Sequence, residues 1–178
     1  MTLDRALDLS LHSPLSKRTE TLPLEAGRGR ILAKSLSSKV DDPRFDNSAM
    51  DGFAVMASDC VNSGAELTIA GTSQTGGLQP PRIISGEACR IMTGAPLPEG
   101  ADAIVMVEDT EVDGDKVTIN GPARTGYIRK RAENLSIGQE ALPAGTHLSS
   151  ASIALAGTMG HGEVEVIKKP RIAILSTG

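Results

Sequence analysis

The chain has 178 residues, enough for one domain or two small ones, with 19 Gly, 10 Pro, no Trp and 2% aromatic residues, so the core must be aliphatic and the path must turn often. A formal net charge of −4 argues against the basic footprint of nucleic-acid binding and against docking on an acidic membrane surface. No stretch is long and apolar enough to span a bilayer, Met1-Thr2-Leu3-Asp4-Arg5 lacks a signal-peptide layout, and Cys60 and Cys89, which form no CxxC pair, read as free thiols in a cytoplasmic setting.

In chain order, residues 2–11 read as a short helix. Thr2 can cap it, Leu3, Leu7 and Leu11 recur every four residues, and Pro14 ends it. Residues 22–36 are a second helical candidate, with Leu24, Ile31 and Leu32 spaced for one face, although Gly27 and Gly29 each cost roughly 1 kcal/mol relative to Ala in a helix interior. Val40-Asp41-Asp42-Pro43 breaks that pattern. Residues 52–120 read as almost entirely β, because short apolar runs alternate with Gly, Pro, Asn and Ser clusters. Asp113-Gly114 between Ala103–Val112 and Asp115–Ile119 is a hairpin signal. Ser149 or Ser150 can cap a helix over 151–157 that Gly157 closes, and Val164–Ile167 reads as a strand. After Pro170, the run Arg171–Leu175 followed by Ser176-Thr177-Gly178 predicts the first strand of an α/β domain lying beyond these residues, since a buried strand needs neighbours on both sides. The fold class is mainly β with a few short helices (α+β).

Three polar constellations could carry chemistry. In Pro43-Arg44-Phe45-Asp46-Asn47-Ser48-Ala49-Met50-Asp51-Gly52-Phe53, a carboxylate in a polar, Gly-flanked loop can hold Mg²⁺ or orient water, or it can simply cap its own backbone as an Asx turn. Asp51-Gly52 can turn sharply if the glycine takes positive φ. In Arg90-Ile91-Met92-Thr93-Gly94-Ala95-Pro96, a strand running into a turn leaves a hydroxyl and several backbone N–H groups for an anion, or forms an ordinary turn. Arg124, Arg129, Lys130 and Arg131 gather four cations with no acid between Gly121 and Ala132, either to pair with oxyanions or as a solvated patch. The acids Glu108, Asp109, Glu111, Asp113 and Asp115 straddle the hairpin and read as a solvated tip. His12, His147 and His161 lack metal-ligand spacing.

The two strings around Asp51 and Thr93 resemble signatures of the molybdopterin molybdenumtransferase family, which includes MoeA and the gephyrin E-domain. The second runs on through Leu97-Pro98-Glu99-Gly100-Ala101-Asp102-Ala103 in near residue-for-residue likeness. Gly29–Ala33, Pro143–Thr146 and Pro170–Gly178 extend the resemblance along the chain. Around Arg129 the family pattern is Asn-Ile/Val-Arg-x-x-Gly-Glu-Asp. Arg129 and Glu133 match it, whereas Tyr127, Ala132 and Asn134 depart from it. Asn134 replaces an acid, and a neutral amide ligates Mg²⁺ weakly and cannot act as a base.

The resemblance implies an elongated, discontinuous dimerisation domain (1–45 and 128–169), an inserted β-rich domain (46–127), and in 170–178 the start of a molybdopterin-binding domain. It implies a homodimer with molybdopterin adenylyltransferase as upstream partner, and a Mg²⁺-dependent reaction of adenylylated molybdopterin with molybdate that releases AMP. By that resemblance Asp51 and Thr93 are the catalytic candidates, with Asp51 also the metal ligand. Asn47, Ser48, Gly94, Arg129, Glu133 and Asn134 are the substrate-binding candidates. A non-catalytic dimerisation or scaffold module is the competing reading.

Overall fold

The apolar runs become strands and the Gly- and Pro-rich stretches between them become turns. A computed structural model describes residues 2–12, 18–77, 79–171, 173–174 and 176. The helices are α1 (Leu3–Leu11) and α2 (Ser150–Thr158). The strands are β1 (Thr19–Pro23), β2 (Leu36–Ser37), β3 (Asn47–Ser48), β4 (Gly52–Val55), β5 (Ala65–Ser73) and β6 (Glu87–Ile91), then β7 (Ala103–Met106), β8 (Thr110–Asp113), β9 (Lys116–Ile119), β10 (Ile128–Arg129), β11 (Glu140–Leu142) and β12 (Glu163–Ile167).

The chain divides into two compact units, Met1–Lys39 with Gly138–Gly178, and Val40–Ile137. Residues 40–45 and 128–137, expected from the sequence in the discontinuous part, therefore pack with the central unit. The cause is a set of short-range ties: Asp41, Asp42 and Asp46 each bind the 130–137 segment.

In the discontinuous unit β1 pairs antiparallel with β12 and β11 with β2. Its core is Leu24, Leu32, Leu36, Leu142, Leu148, Ala156, Val164 and Val166. The helix expected over 22–36 is absent. Those residues form the end of β1, a 3₁₀ turn over Leu24–Gly27, isolated bridges at Ile31 and Leu32, and β2. Gly29 sits at φ +77°, outside helical space, and the leucines reach the core from turns instead. Ser149 caps α2 by accepting the Ser152 N–H at 3.1 Å, and the helix runs past Gly157 to Thr158. Helix α1 forms where expected, but Thr2 makes no side-chain cap, and none of its residues is buried. Of the strand expected at 171–175, Ile172 and Leu175 lie outside the described residues, and Arg171, Ala173 and Ile174 are not in a strand.

The central unit holds a six-stranded sheet in the order β7-β4-β6-β5-β9-β8, antiparallel except for β5 with β6. The single strand expected over Ala103–Val112 is split by a 3₁₀ turn at Val107–Asp109. Its two halves occupy opposite edges of the sheet. Five interstrand steps of about 4.8 Å would set the edges of a flat sheet about 24 Å apart. The three residues joining β7 to β8 reach about 14 Å at full extension. The sheet is therefore curled until its edges approach. Phe53, Val55, Leu67, Ala88, Ala103, Val105, Val117 and Ile119, drawn from five strands, fill the inside of the curl. Ala54, Cys89, Ile91 and Ile104 pack on the other face with Ile83, Ala95 and Ile128. The β8–β9 hairpin turns at Gly114-Asp115, beside the expected Asp-Gly signal.

Gly52 does not take positive φ, contrary to the sharp turn expected of Asp51-Gly52. It lies inside β4, and a Cβ there would stand 1.9 Å from the Val105 carbonyl oxygen. Gly52→Ala should lower stability by about 3 kcal/mol, because the backbone has no slack to yield. Gly126→Ala, where a Cβ meets nothing within 4 Å, should change it little. Urea denaturation of both variants checks the contrast.

Candidate functional site

Three strand ends meet in the central unit. Gly52 of β4 pairs with Ile91 of β6, so Asp51, just before β4, faces the residues just after β6. Because β5 runs parallel to β6, with Ser73 beside Ile91, the chain leaving β5 emerges at the same end. The Asp51 loop, the Thr93 turn and the Thr75 loop are therefore brought together by strand register.

Asp51 Oδ1 accepts two hydrogen bonds from one residue, the Thr93 N–H at 2.7 Å and the Thr93 hydroxyl at 2.9 Å. The backbone N–H and then the hydroxyl hold the Asp51 carboxyl below the usual Asp range, so it is ionised at neutral pH. Thr93 and Gly94 are the central residues of a turn closed by Ala95 N–H on the Met92 carbonyl at 2.9 Å. Gly94 has φ +79°, which makes this a type II turn and explains the glycine. The expectation of free N–H groups for an external anion is corrected here. Thr93 N–H goes to Asp51, Gly94 N–H to the Ser48 carbonyl at 2.8 Å, and Ala95 N–H to Met92. The anion seated on this turn is the carboxylate of Asp51 itself.

Ser48 is fully buried and braces the loop: its hydroxyl donates to the Met50 carbonyl at 2.6 Å, and its N–H to Ala95. Asn47 is 8% exposed, and its Oδ1 has no hydrogen-bond partner among the described residues. Arg129 is its antiparallel partner in the β3–β10 ladder, so the two side chains share a face. Arg129 is exposed and makes no ion pair among the described residues.

Of the other three cations, Lys130 and Arg131 are neutralised from within, and Arg124 meets an aromatic ring. Lys130 Nζ lies 2.9 Å from Asp46 Oδ2, and Arg131 N–H donates to Asp46 Oδ1 at 2.8 Å. Arg131 Nε pairs with Asp41, and Arg124 lies 5.8 Å from the centre of the Tyr127 ring. Asp46 is held below the usual Asp range by Lys130 and then Arg131, and Asp41 by the Ile137 N–H and then Arg131. Glu133 accepts the Lys130 N–H at 2.8 Å, and Asn134 Nδ2 donates to Asp42 at 3.1 Å. Asn134 is thus tied to Asp42 and Glu133 to Lys130, whereas Asp51 is seated on the turn that Thr93 and Gly94 form. Among the described residues there is no group of three His, Cys, Asp or Glu side chains that could cage a metal.

Residues 1–160 match the model of the MoeA N-terminal region (domain I and II). The chain belongs to the MoeA N-terminal family. It is 40% identical to the molybdopterin molybdenumtransferase of Nostoc sp. strain PCC 7120, over 90% of this chain and 38% of that one. Its identity to the Haemophilus influenzae enzyme of the same name is 37%, over 100% of this chain and 45% of that one. The solved molybdopterin biosynthesis MoeA protein from Pyrococcus horikoshii OT3 superposes with a TM-score of 0.84 at 31% identity, covering 94% of this chain and 46% of that one. The chain thus spans less than half the length of these relatives. Among the described residues no helix is long and apolar enough to cross a membrane.

Sequence reading missed Thr75 and Ser73, which touch the Thr93 turn. Gly76-Gly77 signalled only a loop, and no local pattern links a residue to one 18 positions away. The departure at Ala132 does have a structural mark. Glu133 N–H closes a turn on the Lys130 carbonyl at 3.1 Å, and Ala132, third in that turn, has φ +61°. This is a conformation suited to the Gly of the family pattern. Ala132→Gly should therefore stabilise the chain by roughly 1 kcal/mol, seen as a raised urea midpoint, since the strain relieved exceeds the added unfolded-state entropy.

Proposed function

We propose that this chain supplies one wall of a molybdenum-insertion site, in which adenylylated molybdopterin and molybdate react with release of AMP. The observation that carries the reading is the Asp51–Thr93 pair, an ionised carboxylate pinned through one oxygen at the ends of rigid strands. No hydrogen bond among the described residues engages Asp51 Oδ2. One fixed carboxylate with an open oxygen fits Mg²⁺ whose other ligands are substrate phosphates and water, and does not fit an all-protein cage. Bound there, Mg²⁺ would neutralise charge developing on the phosphoanhydride oxygens.

The chain's own residues then have separate tasks. Thr93 keeps Asp51 ionised and oriented, and Gly94 permits the turn. Arg129, exposed beside the unpartnered Asn47 amide, attracts and orients an oxyanion of the substrate. Ser48, Glu133 and Asn134 hold the loops that carry these groups. The remaining walls come from domains of the kind that the longer relatives contain, and the substrate is delivered by a molybdopterin adenylyltransferase acting upstream. The cytoplasm is where such a reaction sequence and free thiols belong.

The test joins this chain to the remaining domains of the Haemophilus influenzae relative and measures AMP release from adenylylated molybdopterin with molybdate and Mg²⁺. The chain alone should release none. Asp51→Asn should lower release by the chimera at least about a hundredfold with an unchanged melting temperature. Equal release, or unfolding, would remove Asp51 from the site.

Helix α1 supports a second role, dimerisation, whether or not turnover accompanies it. Leu3, Leu7 and Leu11 are 79%, 58% and 73% exposed on a helix that buries nothing within this chain. We propose a homodimer that covers this stripe. Light scattering should give twice the chain mass at high micromolar concentration, and Leu7→Glu should halve it. A monomer in both cases rejects the dimer.

A further inference from the structure

The loop leaving β5 reaches the Thr93 turn through a set of contacts that no sequence signal announced. Ser73 is fully buried. Its carbonyl accepts the Met92 N–H at 3.3 Å, and its hydroxyl donates to the Pro96 carbonyl at 2.7 Å. Two residues on, the exposed Thr75 donates its hydroxyl to the Thr93 carbonyl at 2.8 Å. The same hydroxyl lies 3.5 Å from where a Cβ on Gly94 would stand, so it packs closely over the turn.

The peptide joining Thr93 to Gly94 is consequently held at both ends. Its carbonyl is bound by Thr75 and its N–H by the Ser48 carbonyl. It is the central peptide of a type II turn, the unit whose half-rotation converts type II to type I. Such a rotation leaves the Thr93 N–H and side chain in place but turns the Gly94 N–H away from the Ser48 carbonyl, breaking a tie between this turn and the loop that carries Asp51. Ser73 anchors the two flanks of the turn, at Met92 and Pro96, while among the described residues the Thr75 hydroxyl is what grips the central carbonyl. An exposed neutral hydrogen bond adds little to global stability, so a residue kept for this contact acts locally.

We infer that Thr75 is a positioning residue whose hydroxyl locks the Thr93–Gly94 peptide and thereby keeps the turn seated, through the Gly94–Ser48 bond, on the loop from which Asp51 meets Thr93. Its catalytic consequence rests on the functional reading of Asp51 given above, but its structural consequence does not.

The experiment follows the amide signals of Thr93 and Gly94 in the 178-residue chain for the wild type, Thr75→Val, Thr75→Ala and Thr75→Ser. AMP release by the corresponding chimeras is measured in parallel. Removing the hydroxyl in Thr75→Val and Thr75→Ala should speed exchange of both amides about fivefold, the scale that one neutral hydrogen bond carries, with the melting temperature unchanged. Thr75→Ser should restore wild-type behaviour, and AMP release should fall and recover with the amides. Unchanged amides in Thr75→Val, failure of Thr75→Ser to restore them, or a global loss of stability that frees all amides alike would each overturn the inference. If Asp51→Asn leaves AMP release intact while Thr75→Val still frees the two amides, the positioning role stands and the function assigned to Asp51 falls.

Discussion

Strand β4 is buried on both faces, and Gly52 lies so close to the Val105 carbonyl that no side chain fits between them. This contact sets where β4 sits against β7, and the Gly52–Ile91 pairing sets where it sits against β6. A slip of one residue would turn Phe53 and Val55 away from the inner cluster. Register is therefore fixed by the core, and the polar loops at the strand ends inherit that precision. Asp51 meets Thr93 because packing several residues away leaves no other alignment.

The electrostatics of the central unit follow from how its acids are distributed. Asp41 and Asp46 neutralise Arg131 and Lys130 within the 40–137 unit. Both acids are held below their usual range, so these ties persist at neutral pH and loosen only on strong acidification, as the carboxyls take up protons. The local excess of positive charge in the sequence is thereby spent largely on joining the two ends of the unit. Of the four cations, Arg124 and Arg129 are left without an ion pair among the described residues. The turn after β6 is likewise already filled, by an anion from its own chain. Its N–H groups are taken up within the chain, and what it presents outward is a fixed carboxylate.

The discontinuous unit follows simpler rules. Leu24, Leu32, Leu36, Val164 and Val166 form an aliphatic core, as a chain nearly free of aromatic residues must. Burial pushes the Cys89 thiol of the central unit up to about 11, so this cysteine packs as a small apolar side chain and stays protonated.

The sequence by itself determined the local features: α1, a serine cap on α2 at Ser149 or Ser150, a hairpin turn near 113–115 and the β-rich centre, because each depends on residues within a few positions of one another. Its motif strings identified the family and singled out Asp51 and Thr93. The helix expected at 22–36 failed because leucine spacing is ambiguous when strand pairing and core burial can satisfy the same side chains from turns. Tertiary structure alone decided that Asp51 fills the Thr93 turn, that Lys130 and Arg131 are neutralised, and that Thr75 touches the site. Each of these pairs residues 18 to 90 positions apart, and such distances are closed only by strand register and the burial that enforces it.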